Sequence, residues 1–108
     1  MVTRKYPRFS VSLSSTLLYK DHFQHTGSVL NVSAKGCRVT SIISPFTGMQ
    51  LTVQLHVPGE SKPIVINNAA VRWSGSGGIG LEFLTVAPPH QDRLDRMIQQ
   101  LQPKTNPQ

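Results

Sequence analysis

This sequence has little of several features that particular protein classes require. It contains one cysteine, Cys37, so no internal disulfide can form, which agrees with a reducing compartment. No run approaches the roughly 18 apolar residues of a membrane span, and no apolar stretch follows the basic N-terminus to make a signal peptide. Only five carboxylates are present, and none lies in a catalytic motif. We therefore expect a cytoplasmic protein that is not an enzyme.

The 108 residues, 38% of them hydrophobic, fit one compact domain. The net charge of +6 is unevenly placed, because residues 1–40 carry six basic side chains and one acidic, whereas the remainder carries five basic and four acidic. Such a concentration attracts anions, for example nucleotides, nucleic acid or acidic lipid. A solvated basic face that serves only solubility would have the same composition.

Two-residue alternation of apolar and polar side chains indicates β-strands along most of the chain. The predicted strands cover Phe9 to Tyr19, Ser28 to Val32, Cys37 to Ile43, Leu51 to Val57, Pro63 to Trp73 and Ile79 to Phe83. The segment from Asp21 to Thr26 is polar and predicts a turn. Six close strands with no helix between them predict a mainly all-β fold, an antiparallel sheet closed into a six-stranded β-barrel.

The period changes after two prolines near the C-terminus. Leu94, Met97, Ile98 and Leu101 fall on one helical face, with Asp92 in the first turn, which predicts a C-terminal helix over residues 89–102. We expect a flexible basic arm over residues 1–8, the barrel and helix over residues 9–102, and a disordered tail over residues 103–108.

Two motifs suggest sites but lack their required context. The segment GSGGIG, residues 75–80, spells a dinucleotide fingerprint, yet a strand and not a helix is predicted after it, so a glycine-rich hairpin is favoured. His22 and His25 lie three residues apart, but neither Cys37 nor the other histidines complete a zinc site. No metal site is therefore predicted.

Two other segments carry complementary chemistry. RKYPR, residues 4–8, places two guanidinium groups before the first strand, and each can bind a phosphate bidentately or pair with O6 and N7 of guanine. In NVSAKG, residues 31–36, Asn31 and Ser33 would project from one strand face, and Gly36 allows a close backbone approach or a positive φ. The same segment is also a glycosylation sequon, which the lone cysteine and the lack of an export signal oppose.

These two segments together resemble the pattern of the PilZ family, receptors for the bacterial second messenger cyclic di-GMP. The family pattern is RxxxR followed by [DN]xSxxG, and every fixed position is filled here, by Arg4, Arg8, Asn31, Ser33 and Gly36. The stretch AAVRWSGSGGIGLEF is similar to later strands of the family. The resemblance implies a six-stranded barrel with a C-terminal helix, in agreement with the fold predicted from periodicity.

The resemblance also implies a role for each motif residue. Arg4 and Arg8 would hold phosphate and guanine from the arm. Asn31 and Ser33 would hydrogen-bond cyclic di-GMP at the barrel surface, and Gly36 would shape the turn.

Three further residues are weaker candidates, and two positions differ from the commoner family pattern. Trp73 could form a wall beside a guanine base, although large aromatics are more often core, and Lys5 and Arg38 could add charge or be ordinary surface groups. Asn31 replaces the commoner Asp and offers no carboxylate to guanine. Thr3 stands where some members have another arginine, which leaves one ligand or a stacked pair equally open.

The leading hypothesis is a cyclic di-GMP receptor whose arm orders on binding and whose changed surface is recognised by a partner protein. It involves no cofactor, no membrane span and no DNA or RNA. One alternative is a basic β-barrel that binds single-stranded nucleic acid, which the small number of aromatic residues opposes. The other is a PilZ-like adaptor without nucleotide binding.

Overall fold

The computed structural model describes residues 7–19, 23–40 and 45–101, which form six strands and one helix. The elements are β1 (Phe9–Tyr19), β2 (Phe23–Ser33), β3 (Gly36–Val39), β4 (Gln50–His56), β5 (Ile64–Gly75), β6 (Gly78–Thr85) and α1 (Pro88–Leu101).

The six strands form a closed barrel in the order β1-β2-β3-β6-β5-β4, with β4 pairing back to β1. Every neighbouring pair is antiparallel. Closure of the sheet removes the unpaired edges that would otherwise template aggregation. The predicted fold, a six-stranded antiparallel barrel with a C-terminal helix, is confirmed.

Alternation along the strands fills the barrel interior. In β4, Leu51, Val53 and Leu55 are buried, while Thr52 and Gln54 between them keep contact with solvent. Burial of each large aliphatic side chain contributes about 1.5–3 kcal/mol to folding. The interior is therefore a packed apolar core, and binding chemistry is left to the outer surface.

The helix α1 packs its apolar face, Leu94, Met97 and Ile98, into the same core. At its start, His90 Nδ1 accepts a hydrogen bond from the Val65 N–H at 3.1 Å. Val65 lies at the beginning of β5, so the helix is anchored away from the other end of that strand. The far end of β5, residues 72–75, stays exposed.

One predicted turn is wrong. Phe23 to Thr26, placed in a polar turn by composition, belong to β2 and pair with Tyr19 to Thr16 of β1. The long β1 offers backbone partners to this segment, and satisfying those groups outweighs the turn preference of the side chains. Asp21 and His22 lie outside the described residues.

Other predicted boundaries also shift, among them the start of the helix and the end of the third strand. The helix begins at Pro88, one residue earlier than predicted, so Asp92 is not in its first turn. The strand predicted from Cys37 to Ile43 ends at Val39, and residues 41–44 lie outside the described ranges.

The glycine-rich segment 75–80 is a hairpin, as predicted. Gly75 pairs with Gly78 across a two-residue turn, and Gly78 has a φ of 116° that favours glycine. The chain then continues as β6. A dinucleotide fingerprint needs a helix at this point, so that interpretation is excluded.

The close approach of β2 to the chain after β3 can be tested at Gly27. A Cβ added there would overlap the carbonyl oxygen of Thr40, whereas a Cβ on Gly75 meets nothing within 4 Å. We expect Gly27→Ala to lower the free energy of unfolding by about 1–3 kcal/mol, as overpacking does. The matched control Gly75→Ala should stay within about 0.5 kcal/mol of wild type. Urea denaturation measures both, and equal stabilities would contradict this packing.

Candidate functional site

Four neighbouring strands place one residue each in a continuous row on the outside of the barrel. Asn31 of β2 pairs with Arg38 of β3, Arg38 pairs with Gly80 of β6, and Gly80 pairs with Trp73 of β5. We call these four residues the surface row. Because side chains alternate across a strand, the adjacent register positions point inward. Those positions form a buried row of Val32, Cys37, Leu81 and Val71.

Arg8 connects the N-terminal segment to the surface row. It lies one residue before β1, and its Nη1 donates a hydrogen bond to Asn31 Oδ1 at 2.9 Å. The register supports this contact, since Ser10 of β1 pairs with Asn31. The structure thus brings together one residue from each of the two segments singled out in the sequence. Arg4 and Lys5 lie outside the described residues.

Ser33 is built into the turn between β2 and β3. Its side chain is buried, its hydroxyl oxygen accepts the Lys35 N–H at 3.2 Å, and the hydroxyl donates to the Gly36 carbonyl at 3.4 Å. These are the local side-chain bonds by which serine stabilises turns. The hydroxyl therefore holds the turn in shape while the residue lines one of the cavities described below.

Gly36 is required for packing between strands. A Cβ at this position would overlap the Leu81 carbonyl oxygen of β6. Its φ is not in the left-handed region, which holds Gly48, Gly59 and Gly78 among the described glycines. The sequence allowed two reasons for glycine at position 36, a positive φ or a close backbone approach. The structure shows the close approach, and the neighbouring group is a backbone carbonyl.

Trp73 is not a core residue, and its alternating position in the sequence is misleading. Val71 and Trp73 should share a face, yet Val71 is fully buried and Trp73 is 44% exposed. The cause is a register shift, because Val71 pairs with Leu81 while Trp73 pairs with the adjacent Gly80. Between these two pairs the chain advances by two residues in β5 and by one in β6. This extra residue is a β-bulge, and it turns the indole outward.

Two adjoining cavities lie on this surface and share Arg8 and Trp73. The first, of about 320 Å³, is lined by Arg8, Ser33, Lys35, Arg72, Trp73, Gly80, Leu81 and Glu82. The second, of about 380 Å³, is lined by Arg8, Asn31, Arg38 and Trp73. Volumes of this size suit small-molecule ligands.

The lining of the cavities is strongly basic. Arg8, Lys35, Arg38 and Arg72 border them, and among the described lining residues the one carboxylate, Glu82, forms an ion pair with Arg72. A concave surface with excess positive charge concentrates anions. Arginine also adds planar donors that match phosphate and the guanine edge.

Sequence reasoning missed five of the lining residues as members of the site: Lys35, Arg72, Gly80, Leu81 and Glu82. Arg72 and Trp73 are adjacent in the chain, so simple alternation would put them on opposite faces. The bulge exposes both. Glu82 carried a usable signal, since it is the polar position between Leu81 and Phe83 in an otherwise apolar strand.

The described residues contain no group of three or more His, Cys, Asp or Glu side chains that could hold a metal ion. The helix described here, α1, is too short and too polar to cross a membrane.

Comparison with known proteins gives one family and several structures of the same fold. A family model described as the PilZ domain matches residues 3–100. Among solved structures, the inhibitor of motility MotI/DgrA from Bacillus subtilis is 22% identical with a TM-score of 0.73, over 97% of this chain and 55% of that one. The PilZ domain of YcgR from Escherichia coli, solved with c-di-GMP, is 16% identical with a TM-score of 0.72, over 93% and 92%.

The MrkH–c-di-GMP complex of K. pneumonia is 18% identical with a TM-score of 0.75, over 94% of this chain and 52% of that one. The chain thus spans about half the length of MotI/DgrA and of MrkH. At these identities the likeness establishes the shared fold. A search of curated protein sequences finds no match.

Beneath the site, Cys37 occupies the buried row. Burial raises the pKa of its thiol to about 12, and the positive charge of Arg8 opposes the shift without cancelling it. The thiol is therefore neutral at physiological pH. A neutral, buried thiol is a poor nucleophile and a poor metal ligand.

This predicts slow alkylation of Cys37 in the folded protein. Relative to a thiol of the usual pKa, the thiolate fraction at pH 8 falls by about three orders of magnitude, and burial restricts access further. The rate of reaction with a thiol reagent at pH 8 should be about 1,000-fold lower in buffer than in denaturing urea. Comparable rates in the two conditions would mean that Cys37 is not buried. The chain has no other cysteine, so the signal is unambiguous.

Proposed function

Because the chain belongs to the PilZ domain family, we propose that it is a receptor for cyclic di-GMP and performs no chemistry on its ligand. The ligand would lie on the outer face of the barrel, over the two cavities that share Arg8 and Trp73. Arg4, from the segment before the described residues, would join Arg8 in holding it.

The observation that carries this proposal is the hydrogen bond from Arg8 Nη1 to Asn31 Oδ1 at 2.9 Å. It joins the second arginine of RxxxR to the first position of NxSxxG, although the two residues are far apart in the chain. Both border the second cavity. A contact between the two motif segments supports a single binding site to which both contribute.

The chemistry of the lining suits this ligand. Cyclic di-GMP carries two phosphates and two guanines, and the cavity walls supply guanidinium groups at Arg8, Arg38 and Arg72. Guanidinium groups bind phosphate through paired hydrogen bonds and can pair with O6 and N7 of guanine. Asn31 would add an amide at the edge of a base, and Trp73 an aromatic face.

Within the NxSxxG segment the roles would divide. Asn31 is the member whose side chain lies beside Arg8 at the second cavity, so it would contact the ligand. Ser33 and Gly36 would act mainly by fixing the turn and the spacing of β3 and β6. Ligand bound to Arg4 and Arg8 would order the N-terminal arm against the barrel, and a partner protein would recognise the changed surface.

The receptor proposal can be tested by calorimetry with cyclic di-GMP. We expect saturable binding by the wild type and a 10- to 100-fold loss of affinity for Arg8→Ala, since each charge-assisted hydrogen bond contributes about 1.5–3 kcal/mol. Arg96→Ala is the matched control, because Arg96 is exposed on α1 and its loss removes the same charge. It should bind like the wild type.

Absence of saturable binding by the wild type would refute the receptor proposal. Tight binding of a single-stranded oligonucleotide that cyclic di-GMP does not displace would favour a nucleic-acid-binding barrel instead. Equal losses of affinity from Arg8→Ala and Arg96→Ala would mean that Arg8 contributes only its positive charge.

A second prediction concerns the amide at position 31. A carboxylate can accept charge-assisted hydrogen bonds from N1 and N2 of guanine, which are stronger than those to a neutral amide. We expect Asn31→Asp to tighten cyclic di-GMP binding by roughly 3- to 10-fold and Asn31→Ala to weaken it by a similar factor. Titration calorimetry of both variants measures this. Unchanged affinity in both would place Asn31 outside the ligand contacts.

A further inference from the structure

The indole of Trp73 lies flat on the backbone of Gly80. A Cβ added to Gly80 would come within 2.6 Å of three adjacent pyrrole atoms of Trp73, namely Nε1, Cε2 and Cδ1. Nε1 lies between Cε2 and Cδ1 in the ring. If the ring pointed its Nε1 edge at Gly80, Cε2 and Cδ1 would therefore lie much farther from the added Cβ than Nε1 does. Similar distances to all three mean that the face of the ring covers Gly80. Any side chain at this position would lift the indole from the sheet.

Arg38 is held beside the indole by the neighbouring turn. Its Nε and Nη2 both donate to the Gly77 carbonyl oxygen, at 2.9 Å and 2.6 Å. Its guanidinium carbon lies 5.7 Å from the centroid of the Trp73 ring, within the range of a cation–π contact. A Cβ on Gly77 would stand 2.7 Å from Arg38 Nη2. Gly77 and Gly80 thus each leave room for one side chain of the surface row.

We propose that Gly80 is a positioning residue of the ligand site, an inference that rests on the proposed function. Gly80 seats Trp73 as a flat platform on which a guanine base of cyclic di-GMP stacks, with the Arg38 guanidinium held close to the same ring by the Gly77 carbonyl. This gives the GSGGIG hairpin a role in the site that does not depend on a dinucleotide fingerprint.

Three observations support a stacking role over a packing role for Trp73. The residue is 44% exposed although the core lies one register position away. It lines both cavities. Gly80 lies against its inner face, so a planar ligand would stack on the outer face, near the Arg38 guanidinium that lies 5.7 Å from the ring centroid. Stacking of a base on an aromatic side chain contributes substantially to binding, as the loss of affinity on alanine substitution shows.

The test uses Gly80→Ala, and Trp73 reports on it because the chain has no other tryptophan. The added methyl group should displace the indole, shift its emission to longer wavelength and increase quenching by acrylamide. Calorimetry should show an affinity for cyclic di-GMP about tenfold weaker than that of the wild type. Far-ultraviolet circular dichroism of the variant should match the wild type. Gly75→Ala, in open space in the same hairpin, should change none of these readouts.

A double variant separates positioning from a general effect on the fold. If Gly80 acts through Trp73, Gly80→Ala should weaken binding in the wild-type background and have no further effect in the Trp73→Ala background. Additive losses in the double variant would overturn the proposal. So would full affinity in Gly80→Ala.

If the Gly80→Ala variant does not fold, the stacking of a guanine base on Trp73 is tested with the wild type. Quenching of Trp73 emission that saturates together with the calorimetric signal would support stacking, and calorimetric binding with unchanged emission would overturn it. No binding by the wild type would remove the receptor function and this role with it. Binding by the wild type with undiminished affinity in Gly80→Ala would remove only the role of Gly80.

Discussion

The close approach of β3 to β6 at Gly36 is the constraint on which the rest of the site depends. Position 36 has no room for a Cβ because the Leu81 carbonyl occupies that space. The resulting register pairs Cys37 with Leu81 and Arg38 with Gly80. Inward positions then meet in the core, and outward positions meet in the surface row. A slip of one residue would exchange the two sets, since side chains alternate between faces.

The surface row depends in turn on the core beneath it. Val32, Cys37 and Leu81 are almost fully buried, so the strands that carry Asn31, Arg38 and Gly80 are held from below by close packing. The helix is anchored at the beginning of β5 and leaves the far end of that strand uncovered. A closed barrel with a covered core and an exposed basic surface suits the receptor function proposed above.

Much of the fold could be predicted from the sequence, because its strands alternate regularly and prolines and glycines mark their ends. The errors arise where tertiary pairing decides the outcome. Phe23 to Thr26 look like a turn by composition but find backbone partners in β1. Trp73 follows the apolar alternation of β5, yet the bulge after Val71 turns it outward. Neither strand pairing nor a register shift leaves a signal in one strand taken alone.

The NxSxxG segment illustrates why a motif can be found from sequence while the roles of its members cannot. Its fixed positions differ in what they do here: Asn31 faces Arg8 at a cavity, Ser33 closes a turn, and Gly36 admits a neighbouring carbonyl. Two of the three therefore act on geometry, and their replacement would disturb every residue of the surface row together. Asn31 instead accepts a hydrogen bond from Arg8, and with a neutral amide in this position the positive charges of Arg8 and Arg38 are not offset by a carboxylate there. In the proposed site, the surface would therefore keep its full attraction for phosphate and give up some hydrogen-bond strength toward guanine.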